Sequence, residues 1–306
     1  MRTPVALIIF KRPNTTKKVF EAIRQAKPPK LLVVADGPRA DRPGEAEQCI
    51  ATRAVVEKID WDCEVLRNYS DTNLGCGLRP ASGISWVFDQ VEEAIILEDD
   101  CLPHPSFFQF CEELLEKYRN DTRIMNISGN NFLYGHKRTD YSYYFSRYPH
   151  TWGWATWRRA WEYFDFEVKL WNQVRDGSWL TDCFNDESHA RFWGSEFEKV
   201  YGKDKSHIWD YQWTFSCLIQ NCLSINPCVN LVSNIGYAEG ATHTMADVTD
   251  PRSNLPAEEI AFPLLHPPFI IRDAIADEFI QRSIFTTSRM IRAKAKLHRF
   301  LKRLHR

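Results

Sequence analysis

Three acidic residues follow a short apolar run in the segment AIILEDDCLPHPSFF, residues 94–108. The apolar run predicts a buried strand, and Glu98, Asp99 and Asp100 then lie where that strand ends. Neighbouring carboxylates repel one another unless a cation lies among them. Two interpretations fit the segment: an acidic surface turn, or a site for a hard divalent cation.

Alternation along a strand places Glu98 and Asp100 on one face and Asp99 on the other. Mg²⁺ and Mn²⁺ favour carboxylate oxygens and often take only one or two from the protein, while phosphates and water supply the rest. A metal site with so few protein ligands indicates a nucleotide diphosphate. The sequence contains no GxxxxGK[ST], and LGCGLR (74–79) has only two glycines, so neither a P-loop nor a dinucleotide turn is predicted.

The elements that must position these acids alternate between strand and helix patterns in the first third of the chain. Strands are predicted at 5–10, 30–37, 63–68 and before Glu98, with helices at 15–26, 45–56 and 79–93. The alternation predicts an α/β fold with a mainly parallel, doubly wound sheet. Ligands of such sheets gather at the carboxyl ends of strands, where Asp36 and the acidic triplet both lie.

From Met125 onward the pattern becomes mixed β and irregular structure. Helices are predicted at 188–201 and 210–221, and a last helical stretch runs from Ile271 to the end, with a basic tail. The segment TWGWATWRRAW begins at Thr151; its tryptophans can stack on the apolar face of a sugar, or pack as a helix in the core. The stacking tryptophans would be Trp152, Trp154 and Trp157.

Composition narrows the class of protein. The 306 residues are 44% hydrophobic, enough to bury a full core, and 39 basic against 40 acidic residues predict no nucleic-acid partner. Nine cysteines without a CxxC pair indicate a reducing compartment rather than a zinc knuckle. The N-terminal apolar run is too short for a signal peptide, and no apolar window approaches ~20 residues. We therefore expect a soluble, cytoplasmic protein, at most peripheral to a membrane.

The segment LEDD followed by CLPHPSFFQFCEELL resembles the acidic-triplet version of the DxD motif in GT-A-fold, nucleotide-sugar-dependent glycosyltransferases. The pattern is that of N-acetylglucosaminyltransferase I and its bacterial relatives. IIFKRP and VVADG, and more loosely WGWATW and IWDYQW, extend the resemblance over residues 5–245. It implies a metal-dependent, inverting transfer of sugar from a nucleotide-diphosphate sugar, expected to be UDP-linked, to a hydroxyl of a glycan or lipid-linked glycan.

The resemblance also implies roles for the triplet. Asp100 would bind Mn²⁺ or Mg²⁺, Asp99 would approach the ribose, and Glu98 would approach the donor sugar.

Four further residues would line the donor site. Phe10 and Arg12 belong to the matched segment IIFKRP, and the resemblance places Arg12 and Asp36 at the uridine, with Asp36 accepting from the base edge. Asp36 before a glycine also suits a simple turn. Arg79 would meet the diphosphate or, alternatively, be a solvated arginine at a helix start.

The second half must supply a general base for the acceptor hydroxyl. Asp210, between Trp209 and Trp213 at the start of an apolar helix, is our candidate, and plain N-capping is the alternative role. Asp204 and Glu239 are weaker candidates. The loop GYAEGATHT holds a lone histidine, His243, which would complete the metal shell or contact phosphate, or simply be solvated.

These roles divide the chain into a nucleotide-sugar-binding half (1–130), an acceptor-binding and catalytic half (131–260) and a helical extension (261–306). Two other functions compete with sugar transfer. A sugar-phosphate nucleotidyltransferase would share a related sheet, although FKRPNTTKK lacks the glycines typical of its first loop. A non-catalytic nucleotide- or glycan-binding protein on the same fold is the other alternative.

The tail from Arg289 to Arg306 carries eight lysines and arginines and no acid. Leu297, Phe300, Leu301 and Leu304 follow helical spacing, which predicts a basic amphipathic helix. Such a helix binds anionic membranes peripherally or packs its apolar side on the domain.

Overall fold

The apolar runs predicted as strands enter one eight-stranded sheet in the computed structural model, which describes residues 1–201, 207–236, 252 and 255–286. The strands are Val5–Ile9 (β1), Lys30–Ala35 (β2), Glu64–Tyr69 (β3), Glu93–Glu98 (β4), Cys101–Pro103 (β5), Ile124–Ser128 (β6), Tyr143–Ser146 (β7), Trp154–Trp157 (β8), Leu223–Pro227 (β9) and Val232–Asn234 (β10).

Helices cover both faces of the sheet. They are Pro13–Ala26 (α1), Glu45–Val55 (α2), Gly75–Gln90 (α3), Pro105–Lys117 (α4), Arg158–Trp161 (α5), Trp171–Val174 (α6), Trp179–Phe184 (α7), Glu187–Val200 (α8), Asp210–Ile219 (α9) and Ala274–Ile280 (α10), followed by a π-helical turn, Gln281–Thr286. In the part of the chain that the structure describes, no helix is both long and apolar enough to cross a bilayer.

The strand order is β3-β2-β1-β4-β8-β6-β9-β7. The first four strands are parallel, β8 runs antiparallel between β4 and β6, β6 and β9 are parallel, and β7 closes the edge antiparallel to β9. β5 and β10 form a separate antiparallel pair. The prediction of an α/β fold with a parallel first half, a mixed second half and a C-terminal helical element is confirmed.

The sheet contains strands from both predicted halves, because β8 and β9 join the strands of the first third. The division at residue 130 stays a prediction. All nine cysteines are free thiols.

One local prediction was wrong. The segment WATW forms β8 and not a helix, and its tryptophans Trp154 and Trp157 are 1% and 2% exposed. Bulky aromatic residues favour strands when packing on both faces is available, and β8 lies centrally between β4 and β6. Helix α3 also begins earlier than predicted, at Gly75, and includes Pro80 in its second turn.

Alternation along β4 decides where the acids point. Ile95 and Leu97 enter the core on the side of α1 and α4, whereas Ala94 and Ile96 enter the core on the side of α3 and α9. Continuing the alternation, Glu98 projects toward the side of α9. The start of α9 therefore lies on the same side of the sheet as Glu98.

Candidate active site

The carboxyl ends of β1, β2, β4 and β6 lie at one edge of the sheet, because these strands share a direction. Phe10 follows β1, Asp36 follows β2, Glu98 ends β4, and Asn130 lies two residues beyond β6. The carboxyl edge of a doubly wound sheet is where ligands bind.

A cavity of about 650 Å³ opens at this edge. All six residues that we expected at the donor nucleotide line it: Phe10, Arg12, Asp36, Arg79, Glu98 and Asp99. Sequence positions up to 89 residues apart are thus brought to one cavity, although the role of each residue stays a prediction.

Arg12 supplies the cation that the acidic triplet needs. Its guanidinium is hydrogen-bonded to the Asp99 carboxylate, and its Nη1 lies 2.9 Å from Asp100 Oδ2. Phe10 N also donates to Asp99 Oδ2 at 3.2 Å. Arg12 is the N-cap residue of α1, so the proline-initiated helix fixes its backbone beside the triplet. The triplet is therefore an ion-paired cluster and not a free surface turn.

Burial and mutual repulsion change the acidity of this cluster. Burial, followed by the charges of Asp100 and Asp99, raises the pKa of Glu98 to about 8. Burial also raises the pKa of Asp99, although Arg12 opposes it. The same carboxylates raise the pKa of Arg12, outweighing its own burial. Glu98 thus holds a proton at neutral pH until a cation approaches.

Replacing Arg12 by Met should destabilise the fold by about 3 kcal/mol, the low end of the cost of breaking a buried ion pair. The low end applies because the Arg12 side chain is 24% exposed, while that of Asp99 is 3% exposed. Urea unfolding at pH 7 measures the change. Arg24→Met is the control, because Arg24 pairs with Asp60 at the surface and its loss should barely change stability. Equal losses in both variants would contradict the buried-pair account.

The Asp36 carboxylate organises the loop before α3. Its Oδ1 accepts from the backbone amides of Gly37 and Leu74 at 2.9 Å, and its Oδ2 accepts from Asn73 Nδ2 at 2.9 Å and from Gly75 N at 3.1 Å. Burial nevertheless raises the pKa of Asp36, and these bonds oppose the change. The turn-forming role is thus present, while the contact with a base edge stays a prediction.

Two further arginines, Arg79 and Arg39, line the cavity. Arg79 lies within α3, 5% exposed, and its Nη2 donates to the Asn68 side chain at 2.7 Å. Its Nε has no hydrogen-bond partner in the described part of the chain. Arg39, which the sequence analysis missed, pairs with Glu45 at 2.5 Å and also lines the cavity. Its signal was a basic residue shortly after a strand end, in DGPRA.

A second cleft, also about 650 Å³, adjoins the first and shares Cys76, Glu98 and His207 with it. Its other lining residues include Asn130, Phe132, His150, Trp152, Glu196, Lys199, Asp210, Tyr211 and Arg252. Asp210 is the first residue of α9, and the N-cap position belongs to Trp209. Asp210 therefore does not occupy the N-cap position that the alternative role requires. Its charge acts on Glu98, so the predicted base lies near the acidic triplet.

The residues present fit a divalent cation only in part. Asp100 and Glu98 offer two carboxylates, as many as Mg²⁺ commonly takes from a protein when phosphates complete its shell. Among residues 1–201, 207–236, 252 and 255–286, no group of three or more potential ligand side chains surrounds a metal position. The donor set thus suits a cation that arrives with a phosphate-bearing ligand.

The backbone passes close to Asp100 at Gly236. A Cβ built on Gly236 would lie 2.2 Å from Asp100 Oδ2 and 2.9 Å from Arg12 Nη1, so only glycine fits there without displacing the ion pair. His243, along with Asp204, Glu239 and the basic tail, lies outside the described residues.

The three tryptophans of TWGWATW lie in two different environments. Trp154 and Trp157 are buried in the core, as the core alternative required for at least one of them. Trp152 lines the second cleft, edge-on to Phe132 with ring centroids 5.6 Å apart.

Asn130 and His150 are site candidates that sequence reasoning missed. Asn130 follows β6 at the ligand-binding edge, and this was the available signal. The backbone of His150 is fixed from the same strand, since its amide donates to Ser128 Oγ and its carbonyl accepts from that hydroxyl, both at 3.1 Å. Nothing in the local sequence marks His150.

Burial, and then the charge of Arg252, lowers the pKa of His150 to about 3. The unfolded chain binds this proton near pH 6.5, so the stability from neutral His150 is complete above pH 6.5 and is lost as pH falls. Between pH 6.5 and 5 the wild type should lose about 2 kcal/mol more than a His150→Phe variant. Urea unfolding at both pH values measures it, and parallel losses would show that His150 is charged in the fold.

No protein-family model matches the sequence, and no curated protein matches it. The chain is similar to solved structures that include mouse xyloside xylosyltransferase 1, at 10% identity and a TM-score of 0.33 over 71% of this chain and 81% of that chain. It is also similar to 4-diphosphocytidyl-2C-methyl-D-erythritol synthase from Anaerococcus prevotii, at 13% identity and 0.35 over 72% and 97%.

A third similar structure is a UDP-glucose pyrophosphorylase complexed with UDP-glucose, at 14% identity and a TM-score of 0.29 over 49% of this chain. The chain spans 64% of that protein, less than two thirds of its length. Likenesses this remote establish neither a family nor an activity.

Proposed function

We propose that the protein is a metal-dependent glycosyltransferase that moves a sugar from a nucleotide-diphosphate sugar to a hydroxyl acceptor. The observation that carries the proposal is the junction of two clefts at Glu98, with arginines around one cleft and a carboxylate, Asp210, in the other. A transfer between two bound substrates needs two adjoining sites of this kind.

The first cavity suits the donor nucleotide. Phe10 offers an aromatic ring beside Lys11 and Arg39, whose charged groups lie 5.4 and 5.9 Å from its centroid. Arg79, which is 5% exposed, also lines this cavity. A planar base and an anionic diphosphate match aromatic and guanidinium groups. UDP is the nucleotide that the sequence resemblance favours.

The second cleft suits the acceptor. A hydroxyl held there attacks the anomeric carbon at the shared boundary, and Asp210 accepts its proton as the new glycosidic bond forms. A carboxylate base is suited to this step, and Glu98 is less suited to it because its carboxylate would hold the metal ion. In-line attack from the side opposite the nucleotide inverts the anomeric centre.

Asp100, with Glu98 as second carboxylate, would hold Mn²⁺ or Mg²⁺ against the diphosphate. When bound, this ion stabilises the negative charge of the departing nucleotide diphosphate. Arg12 already lies between Asp99 and Asp100, so it must adjust its contacts as the ion and diphosphate enter.

A sugar-phosphate nucleotidyltransferase remains the second candidate; it also joins two bound substrates, but its phosphate nucleophile needs no general base. The adjoining cleft with Asp210 favours transfer to an acceptor. Titration calorimetry with UDP, CDP, GDP and ADP, each with and without Mn²⁺, tests the donor half of the proposal. We expect one nucleoside diphosphate to bind only with metal, and no binding of any of them would overturn it.

We also propose that the C-terminal region contacts anionic membrane. The described segment before the tail exposes apolar residues, since Leu265, Phe269, Ile271 and Ile275 are at least half exposed. The eight basic residues of 289–306 would each add about 1 kcal/mol near an anionic bilayer. A lipid-linked glycan acceptor would be reached there.

Deleting residues 289–306 should release the protein from phosphatidylserine vesicles while donor binding is unchanged. Co-sedimentation with phosphatidylserine–phosphatidylcholine vesicles at low and high salt measures it, because screening weakens such binding. Pure phosphatidylcholine vesicles are the control. A full-length protein that ignores anionic vesicles at low salt would show that the tail does not bind membrane.

A further inference from the structure

In the described part of the chain, two buried polar side chains that line the second cleft each have one atom without a hydrogen-bond partner. Asn130 is 1% exposed and His150 is 7% exposed, and both line the cleft. Asn130 Oδ1 and His150 Nε2 find no partner among the described residues. A buried polar atom without a partner costs free energy, so such atoms are uncommon unless a ligand or water completes them.

Asn131, next to Asn130 in the chain but outside the cleft lining, has its side-chain hydrogen bonds made. Asn131 donates through Nδ2 to the Pro227 carbonyl at 2.8 Å, and its Oδ1 accepts from Leu133 N at 2.8 Å. Asn130 in contrast uses its Nδ2 on the Val232 carbonyl at 3.3 Å and leaves Oδ1 without a donor. Other buried side chains with an unpartnered atom, such as Asn226 and Gln212, do not line the cleft, whereas Asn130 and His150 both do.

The missing partners require a ligand that donates a hydrogen bond to Asn130 Oδ1 and either donates to or accepts from His150 Nε2. An amide oxygen needs a donor, and a neutral imidazole nitrogen takes either role, depending on its tautomer. The low pKa of His150, about 3, keeps the ring uncharged at neutral pH. Hydroxyl groups meet both demands.

The rest of the cleft indicates an uncharged ligand with an apolar face. Aromatic rings adjoin the two polar residues: Phe132 lies edge-on to His150 at 4.7 Å and to Trp152 at 5.6 Å between centroids. Among the described lining residues, Glu196 pairs with Lys199 at 2.5 Å, and the other charged groups are the carboxyl groups of Glu98 and Asp210 and the guanidinium of Arg252. These lining residues carry no excess of positive charge and offer no net attraction to an anion.

We infer that Asn130 and His150 form a subsite for an uncharged sugar ring, whose hydroxyls complete their hydrogen bonds. The inference rests on the proposed function, because it makes this sugar the acceptor of the transfer. A neutral sugar combines hydroxyl groups with an apolar face that stacks on aromatic rings.

Saturation-transfer NMR with methyl β-glycosides of glucose, galactose, mannose and N-acetylglucosamine tests this. We expect at least one to bind the wild type, and to bind Asn130→Leu and His150→Phe about tenfold more weakly, the effect of losing one good hydrogen bond. His189→Phe is the matched control, since His189 is equally buried, at 7% exposed, but lies outside this cleft. It should bind the sugar as the wild type does.

Melting temperature separates a ligand-binding role from a structural one. Because the two orphaned atoms are a cost in the free protein, Asn130→Leu and His150→Phe should melt no lower than the wild type at pH 7. Loss of sugar binding together with a large drop in melting temperature of both variants would overturn the inference.

Three NMR results would also overturn the inference: no binding of any neutral glycoside, equal binding by the variants, or binding of methyl glucuronide alone. UDP, CDP, GDP and ADP, each added to the same samples with diamagnetic Mg²⁺, distinguish this failure from that of the proposed function. Unchanged nucleotide signals in all variants are expected. If the wild type binds glycosides but no nucleotide, the sugar subsite is supported and the proposed transferase function is refuted.

Discussion

Sugar transfer should fall by about 10²-fold or more in an Asp210→Asn variant, the usual scale for losing a general base. The fold should remain nearly unchanged, because Asn fits the same first position of α9. The cost is a weaker interaction with the helix dipole, about 0.3–1 kcal/mol. Initial rates of transfer and the melting temperature, measured on the same preparations, check both parts.

The control for Asp210 is Asp186→Asn at the N-cap of α8, which removes a helix-start carboxylate that lines neither cleft. It should leave transfer unchanged. His207 lies at the boundary of both clefts and is the rival base. If Asp210→Asn keeps its rate while His207→Gln loses it, the assignment of the base to Asp210 is wrong.

The metal-dependent gain in nucleotide affinity should disappear in an Asp100→Asn variant, a weakening of at least about tenfold, or 1.4 kcal/mol. Asn keeps the shape but loses the charge that binds a hard cation. Calorimetric titration of the nucleotide with and without Mn²⁺ measures the gain. The fold should persist, because Arg12 keeps its bond to Asp99.

A second variant perturbs the same site by adding a side chain to the glycine that lies beside it. Gly236→Ala places a methyl group against Asp100 Oδ2 and Arg12 Nη1, so it should also weaken metal-dependent binding while every charge stays in place. Asp121→Asn is the control, since Asp121 pairs with Arg123 away from both clefts. Full metal dependence in Asp100→Asn would place the cation elsewhere.

The first half of the fold could be predicted from the sequence because its strands are continuous apolar runs between helices. β1, β2 and β4 were recognised within one or two residues, and their order along the chain indicated a shared edge for Phe10, Asp36 and the triplet. The position of Arg12 among the acids was not predicted. It depends on the helix start that sets its backbone, a tertiary arrangement and not a local pattern.

The second half resisted prediction because its pairing is long-range. β8 inserts between β4 and β6, and no local signal separates the strand WATW from a helix of aromatic residues. That insertion brings His150 and Trp152 to the ligand-binding edge. Asn130 and His150 became recognisable only when their neighbours, and their missing partners, were known.

The most direct test of the central claim is product analysis with both substrates present. The protein is incubated with Mn²⁺, each UDP-sugar in turn and the neutral methyl glycosides, and products are identified by mass spectrometry. The account predicts a disaccharide glycoside formed in equal amount with UDP, and dependent on Asp210. Formation of UTP and a sugar 1-phosphate when pyrophosphate is added, with no disaccharide from any pair, would contradict it.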